Sequence, residues 1–315
     1  MLAYLTRKLC EAVLLLTVVS VLVFGLLRLA PGSIESTLLA GKPATPETIA
    51  AIHAQYHLDD PIWAQYWQWV THAVRLDFGN SLVDGTPIST IVTDRIPVSA
   101  GLAILALSIT LVVGVPLGLL AGRRQGTAAD SSLSAGAIVL LSAPVYALAT
   151  LLLYVFGIQL GWFPVFGAGD GFVDQLWHLV LPAMTLSAVQ IAVVFRQARA
   201  AAIDVERADY LTFARARGLG RMRIELGYRL RNALLPVITV SALLLASSLA
   251  GVVFVEQIFS LPGLGSLLVT SIETKDLTVV QALALFSALL VFGFNLIVDV
   301  LYAVIDPRIV VGERS

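Results

Sequence analysis

Six stretches of this 315-residue chain carry no charged residue at all: Ala12 to Leu27, Val98 to Gly122, Leu133 to Leu160, Leu179 to Phe195, Ala233 to Val255 and Leu277 to Val298. Each approaches or exceeds the roughly 20 apolar residues that cross the hydrocarbon core of a bilayer. Between them the chain is charged only at 13% of positions overall, about half the share of a soluble domain. These runs therefore predict a multi-span membrane protein built from helices, since a helix satisfies its own backbone where no water can. Pro116, Pro144, Pro182 and Pro236 lie in or at the ends of the runs. Membrane helices tolerate proline where neighbours re-satisfy the backbone.

The first run has the outline of a signal peptide, a basic start and an apolar middle. Arg28 and Pro31 stand where small residues would mark a cleavage site, so it is read as an uncleaved first span with its N-terminus inside. With six spans, fifteen of the twenty basic residues then fall on the cytoplasmic side, and only Arg28, Lys42, Arg75, Arg95 and Lys275 fall outside. That asymmetry follows the positive-inside rule and puts both termini in the cytoplasm.

The basic residues are not evenly spread. Arg196 to Arg231 holds nine arginines against four acids, while the whole chain is formally −1. A cytoplasmic loop collects Lys and Arg in any case, so charge alone says only "inside". The pattern says more. Ala208 to Ala216 reads as a short helix, Gly218 and Gly220 break it, and Leu219, Met222, Leu226 and Leu230 recur at spacings of three and four as an apolar stripe on a second helix.

Outside the runs, Gly32 to Pro97 is polar. Thr45-Pro46-Glu47 and Asp60-Pro61 look like helix starts. Trp63, Tyr66, Trp67 and Trp69 follow at helical spacing, as in a belt at a membrane–water interface. Gly161-Trp162-Phe163-Pro164 is a turn signal. After the fifth run, two glycines and a proline in Ser260-Leu261-Pro262-Gly263-Leu264-Gly265 suit a tight loop or a half-helix.

Enzyme chemistry finds little footing. One cysteine, Cys10, leaves no intrachain disulfide and no cysteine-based metal site, and the four histidines are scattered. The glycine-rich phosphate loop of ATPases is missing, so a pump made of this chain would take its energy from elsewhere. Gly167-Ala168-Gly169-Asp170 spells the glycine-x-glycine-aspartate of aspartyl membrane proteases. A proton-sharing dyad needs a second carboxylate, and no neighbouring run offers one at membrane depth. Glu256 and Asp299 are the acids nearest that depth. An intramembrane charge is a functional candidate. Both stand near predicted span ends, where hydration costs little, so they are read first as structural hydrogen-bonding residues and second as pathway residues.

The Arg196–Arg231 segment resembles the EAA loop of ABC-importer permeases, in the form seen in the dipeptide/oligopeptide family. Of that loop's pattern Ala214 and Gly218 are present, with Thr212 and Phe213 where the family has glutamate and alanine. Arg231-Asn232-Ala233-Leu234-Leu235-Pro236 is similar to the peptide branch's continuation. Further segments match the family in fixed order: Leu29-Ala30-Pro31-Gly32, His57 to Pro61, Leu76 to Ser81, Asp94 to Pro97, Glu256 to Gly265, and Asn295 to Arg308.

The resemblance implies an all-α integral membrane fold of six transmembrane helices with both termini cytoplasmic. It implies a first transmembrane helix in 1–30, a large extracytoplasmic helical region in 31–97, and a five-helix permease core in 98–307. The core would carry a cytoplasmic EAA-type coupling loop (196–231) between helices 4 and 5, and a short tail (308–315) would follow. The chain would be the pore-forming permease subunit of an ATP-driven importer, with no catalytic, cofactor-binding or metal-binding residues of its own. ATP and Mg would bind partner ATPases. Expected partners are a second homologous permease, two cytoplasmic ATPase subunits, an extracytoplasmic binding protein and membrane lipid, with no nucleic acid. Asp209, Tyr210, Ala214, Arg215, Ala216, Gly218, Leu219 and Arg223 would form the ATPase-coupling surface. The other reading is a stand-alone channel or ion-coupled carrier, but carriers place paired ionisable groups or broken helices at the midplane, often in repeated halves.

Overall fold

The computed structural model describes residues 2–29 and 59–305, with positions 46, 49, 50, 53 and 54 between them. The helix start expected at Thr45-Pro46-Glu47, the Leu29–Gly32 match and the C-terminal tail lie outside the described residues, wholly or in part. The described residues are helical almost throughout. In chain order the helices are α1 (Leu2–Leu29), α2 (Ile62–Val74), α3 (Ile88–Arg123), α4 (Ala128–Ser142), α5 (Val145–Leu152), α6 (Phe172–Glu206), α7 (Asp209–Ala216), α8 (Arg221–Ile224), α9 (Arg231–Ile258), α10 (Leu264–Glu273) and α11 (Leu277–Ile305). A π-turn, Leu153–Gln159, extends α5, and a second, Glu225–Leu230, joins α8 to α9.

Five helices are long and apolar enough to cross a membrane, and six spans result if α4 and α5 with its π-turn count as one. That sixth span departs from expectation. The run from Leu133 to Leu160 reads as one span, yet the chain turns through 103° between α4 and α5. The cause is Pro144. Its ring pushes the preceding residue out of the helical region, and Ala143 and Pro144 are both extended, with ψ of 126° and 131°. The 15 residues of α4 reach only about 22 Å, short of a core of about 30 Å. Pro182 in α6 and Pro236 in α9 are carried inside their helices without such a break.

The helices also outrun the apolar runs. α3 begins ten residues before Val98, and α6 continues eleven residues past Phe195 to Glu206. The first third of the expected loop is therefore helix, and only residues 207 to 220 depart from the rods around them.

The chain clusters into two compact units, one of residues 1–97 with 263–293 and one of 98–262 with 294–315. In the first, Asp60-Pro61 does open a helix, with Pro61 at the cap of α2. The aromatic residues of α2 split by face. Tyr66 and Trp69 pack on Phe24 of α1 at 5.4 and 5.8 Å between centroids, and Tyr66 shares a 2.8 Å hydrogen bond with Ser20. Trp63 and Trp67 stay exposed. In the same unit Asp276, the residue before α11, is buried. Its carboxylate accepts from Ser81 Oγ (2.5 Å), Thr278 Oγ1 (2.9 Å) and the Leu82 and Val279 amides (both 3.3 Å). One acid so caps a helix and pins the Asn80–Pro87 turn, above an apolar cluster of Ile88, Val92, Val279, Ala282 and Leu283.

The second unit is built around α6. Buried residues make up 67% of its most apolar window, against 18% for α1. Small residues let neighbours reach its backbone. A Cβ on Gly118 would sit 2.6 Å from both Ala198 Cβ and Phe195 O, and one on Gly122 would sit 2.6 Å from Ala202 Cβ. Such close approach is how membrane helices gain packing where lipid offers no hydrophobic drive. The contact is pinned by polar groups. Gln190 Nε2 donates to Ser248 Oγ on α9 (2.8 Å), and its Oε1 meets Thr110 Oγ1 on α3 at 3.1 Å. All three are buried.

Candidate functional site: the helical loop between α6 and α9

The loop is a helix, a left-handed break and a second helix. Asp209 sits in the first turn of α7, where a negative charge suits the helix dipole. Leu211 and Ala214 face inward and are buried against Ala201, Val205, Ile224 and Ala233. Tyr210, Phe213, Arg215 and Ala216 face outward. α7 ends because Gly218 adopts φ of +68°, a conformation that costs other L-residues 1–2 kcal/mol, roughly. The Gly218 amide donates to Arg215 O (2.9 Å) and the Leu219 amide to Ala214 O (3.3 Å). Leu219 also packs on the cluster that holds Ala214. These are the two reversed bonds and the apolar contact of a Schellman cap. Gly220 does something different: with φ −61° and ψ 145° it is ordinary extended backbone ahead of α8.

The expected apolar stripe is not a buried face. Leu219 and Leu230 are half-buried, but Met222 is 71% and Leu226 58% exposed, and Ile224 is the residue that enters the core. Two features break the spacing. The glycine turn separates Leu219 from the helix that follows, and the π-turn over Glu225–Leu230 shifts the phase after Ile224. Arg223 is exposed. Met222 and Leu226, with Phe213 at 69% and Tyr210 at 37% exposure, thus form outward apolar surface on a segment rich in arginine.

Behind this surface lies a charge cluster that sequence reading treated only as a surplus of arginine. Glu206, the last residue of α6, faces Arg229 (Nη2 at 3.0 Å, Nε at 2.9 Å) and Arg215 of α7 (3.6 Å). Arg229 also bonds Glu225, which accepts from Arg123 at the end of α3 (2.7 Å). Tyr210 stacks near Tyr228, with centroids 6.4 Å apart. Burial, and then the Glu206 charge, push its phenol above the ordinary value of 10.0, against the hydrogen bond from Asn232.

A second acid–arginine pair, also missed, holds α4 to α6. Arg199 forks onto Asp130, with Nε to Oδ1 at 2.5 Å and Nη2 to Oδ2 at 2.7 Å. Asp130 Oδ2 accepts from the Gly126 amide as well (3.0 Å), and Thr127 caps the helix by accepting from the Asp130 amide. The spacing Thr127-x-x-Asp130 was the available signal, since a threonine cap followed three residues later by an acid marks a helix start.

The two pathway candidates fare differently. Glu256, in the last turn of α9, is fully buried and accepts from Ser99 Oγ at 2.6 Å. Its position near a helix end does not hydrate it, because α3 covers it. This corrects the expectation of a hydrated span end and agrees with a hydrogen-bonding role. Asp299 lies on α11, with its side chain outside the described residues. Asp170 is exposed, and its amide donates to Asp174 Oδ2 (2.8 Å) in the turn before α6. Among the described residues no group of three or more His, Cys, Asp or Glu is placed to hold a metal.

Five to six helices long and apolar enough to cross a membrane are the architecture of a multi-pass helical membrane protein. Residues 114–311 match the family model described as the binding-protein-dependent transport system inner membrane component, and residues 1–103 match the model of its N-terminal part. A putative peptide transport system permease protein of Brucella abortus is 36% identical over 312 residues, covering 98% of this chain and 99% of that one. The oligopeptide transport system permease protein AppB of Bacillus subtilis is 35% identical over 315 residues, with the same coverage. The glutathione transport system permease protein GsiC of Escherichia coli is 37% identical over 309 residues, again 98% and 99% covered. The chain belongs to the inner-membrane permeases of binding-protein-dependent transport systems, within the peptide group of ABC importers. It is accordingly a multi-pass protein of the bacterial inner membrane.

Proposed function

We propose that this chain forms half of the translocation pathway of an ATP-driven importer of peptides and that the loop from Asp204 to Arg231 couples it to a cytoplasmic ATPase. A second homologous permease would supply the other half of the pathway. A second ATPase subunit and an extracytoplasmic binding protein would complete the assembly, with ATP and Mg held by the ATPases. Both termini and the loop face the cytoplasm in this reading, which the arginine distribution supports. Peptides are the substrate class that the relatives' names have in common, glutathione being a tripeptide.

The observation that carries the coupling role is the outer face of α7, α8 and the π-turn that follows. Phe213, Met222 and Leu226 are exposed there, while Leu211, Ala214 and Ile224 anchor the same segment from behind. Apolar side chains held outward on a rigid, cationic support suit docking into a cleft of a partner with acidic rims. Coupling is then mechanical: closure of the ATPases displaces the loop and biases two states of the spans.

The test is purification of the tagged chain from native membranes in mild detergent, with mass spectrometry of what accompanies it. An ATPase and a second six-span protein should co-purify, and Gly218→Asp should reduce the ATPase or uncouple uptake. Normal peptide uptake by Gly218→Asp would overturn the assignment of the loop. Recovery of the chain alone, still folded, would overturn the importer reading.

A further inference from the structure

Acids are disfavoured in the last turn of a helix, because the carbonyl ends already carry partial negative charge. Glu206 is the last residue of α6, and that turn offers no basic residue. Something outside the helix must hold the charge, and two different elements do so. Arg215 reaches it from α7, and Arg229 reaches it from the π-turn that leads into α9. Arg229 ties in turn to Glu225, and Glu225 to Arg123 at the end of α3.

Three spans and the short helix α7 therefore meet at two carboxylates. The apolar contacts around them, Leu211 and Ala214 in one cluster with Val205 and Ala233, anchor α7 without setting a direction. The charged contacts add direction, linking α7 to Glu206 and Glu206 to Arg229.

The arrangement is also short of full satisfaction. Arg229 Nε is buried without a hydrogen bond, although Glu206 Oε1 lies 2.9 Å away out of alignment. The Glu206 side chain is 30% exposed and is divided between two guanidinium groups. A carboxylate shared in this way can be pulled toward either arginine at small cost, since part-solvated ion pairs differ little in free energy.

We propose that Glu206 is the positioning residue through which α7 moves α9: Arg215 transmits displacement of α7 to Glu206, and Arg229 passes it to the foot of the α9 span. This rests on the reading that the loop docks on an ATPase, and it adds which internal contact carries the motion.

The test uses the complete transporter, both permeases with ATPases, in lipid nanodiscs. ATP hydrolysis is measured with and without the peptide-loaded binding protein, and assembly is measured by size exclusion. Glu206→Gln keeps the size and removes the charge. The expected result is an intact complex in which stimulation by the loaded binding protein falls about fivefold or more, the range of typical coupling energies. Arg215→Ala, at an exposed position, should lower stimulation by a smaller factor. Glu206→Asp should recover part of it, which a merely space-filling role would not require.

Stimulation at the wild-type level in an intact Glu206→Gln complex would overturn the proposal. Should Glu206→Gln fail to assemble, Arg215→Ala decides: reduced stimulation supports the relay, and wild-type stimulation overturns it. If the ATPase is absent from the wild-type complex, the docking reading itself fails, and that outcome is distinct from both.

Discussion

Two acid–arginine joints in this molecule use the same chemistry to opposite ends. At Asp130 and Arg199 the fork is closed. Each carboxylate oxygen receives its own guanidinium nitrogen, at 2.5 and 2.7 Å, and the Asp130 side chain is 5% exposed. At Glu206 the carboxylate is 30% exposed and divided between Arg215 and Arg229, which itself answers to Glu225. Planar bidentate pairing fixes geometry as well as energy. A divided, half-solvated charge sets a register that can change. The first joint makes α4 and α6 one body, and the second lies where parts are proposed to move against each other.

The closed joint stands on a seam with no spare room, so its neighbours should break first. Gly122→Leu adds a side chain where even a Cβ meets Ala202 Cβ at 2.6 Å and Arg199 O at 2.7 Å. Backbone cannot yield as a side-chain tip can. Loss of at least about 1–3 kcal/mol is expected for overpacking of this kind, read as a fall in the thermal midpoint of the detergent-solubilised protein by fluorescence-detected size exclusion. An unchanged midpoint would mean that α3 and α6 are not closely packed in the membrane.

Next in size is Arg199→Met, which leaves Asp130 buried without its counter-charge. Removing one member of a buried pair is worse than removing both. The double variant Arg199→Met with Asp130→Leu should therefore recover part of the folded yield lost by Arg199→Met alone. If the double variant is the worse of the two, the pair is not the closed joint described here.

How far these joints could be read in advance differs in an instructive way. Apolar runs and turn residues are local signals: five of the six runs fall in long helices, and the helix α7 and the turn at Gly218 follow, a glycine after a helix announcing left-handed backbone. Partners across space are not local. Nothing near Asp130 names Arg199, which lies 69 positions on and was counted with the loop because it follows the last uncharged residue of its run. The same counting ended α6 at Phe195, whereas a helix needs no lipid to continue, and arginines are good helix formers. For Glu256 the hydrogen-bonding reading stands, but its reason does not: nearness to a span end was taken for nearness to water, and the covering helix α3 is not a local signal. The break at Pro144 was half legible. Four prolines looked alike in sequence, and only backbone geometry separates the one that turns the chain from those that helices absorb.

The open joint should answer more weakly in stability. Glu206→Gln should change the thermal midpoint little, corresponding to less than about 1 kcal/mol, the usual worth of part-solvated ion pairs. Raising the salt should shrink even that difference, since screening acts on exposed charges far more than on buried ones. The comparison is sharpened if salt erases the effect of Glu206→Gln and leaves that of Arg199→Met intact. A large, salt-independent loss in Glu206→Gln would make the second joint as closed as the first.

The smallest effect reads the open joint from its rim. Tyr210 loses solvent mainly to its neighbours in the loop, and the Glu206 charge adds to the penalty on its ionised form. Its folded pKa is therefore raised, while the unfolded chain ionises near the ordinary 10.0. The stabilisation that goes with the neutral phenol is complete below pH 10.0 and is lost as pH rises through the folded value. The difference in phenolate absorbance between the wild type and Tyr210→Phe isolates this one group, and its midpoint should lie above 10.0. In Glu206→Gln the midpoint should move down toward the ordinary value without reaching it, because burial is the larger cause and persists. A midpoint indifferent to Glu206 would place that carboxylate away from the loop in solution. One that falls the whole way would give the charge, rather than burial, the leading part at this joint.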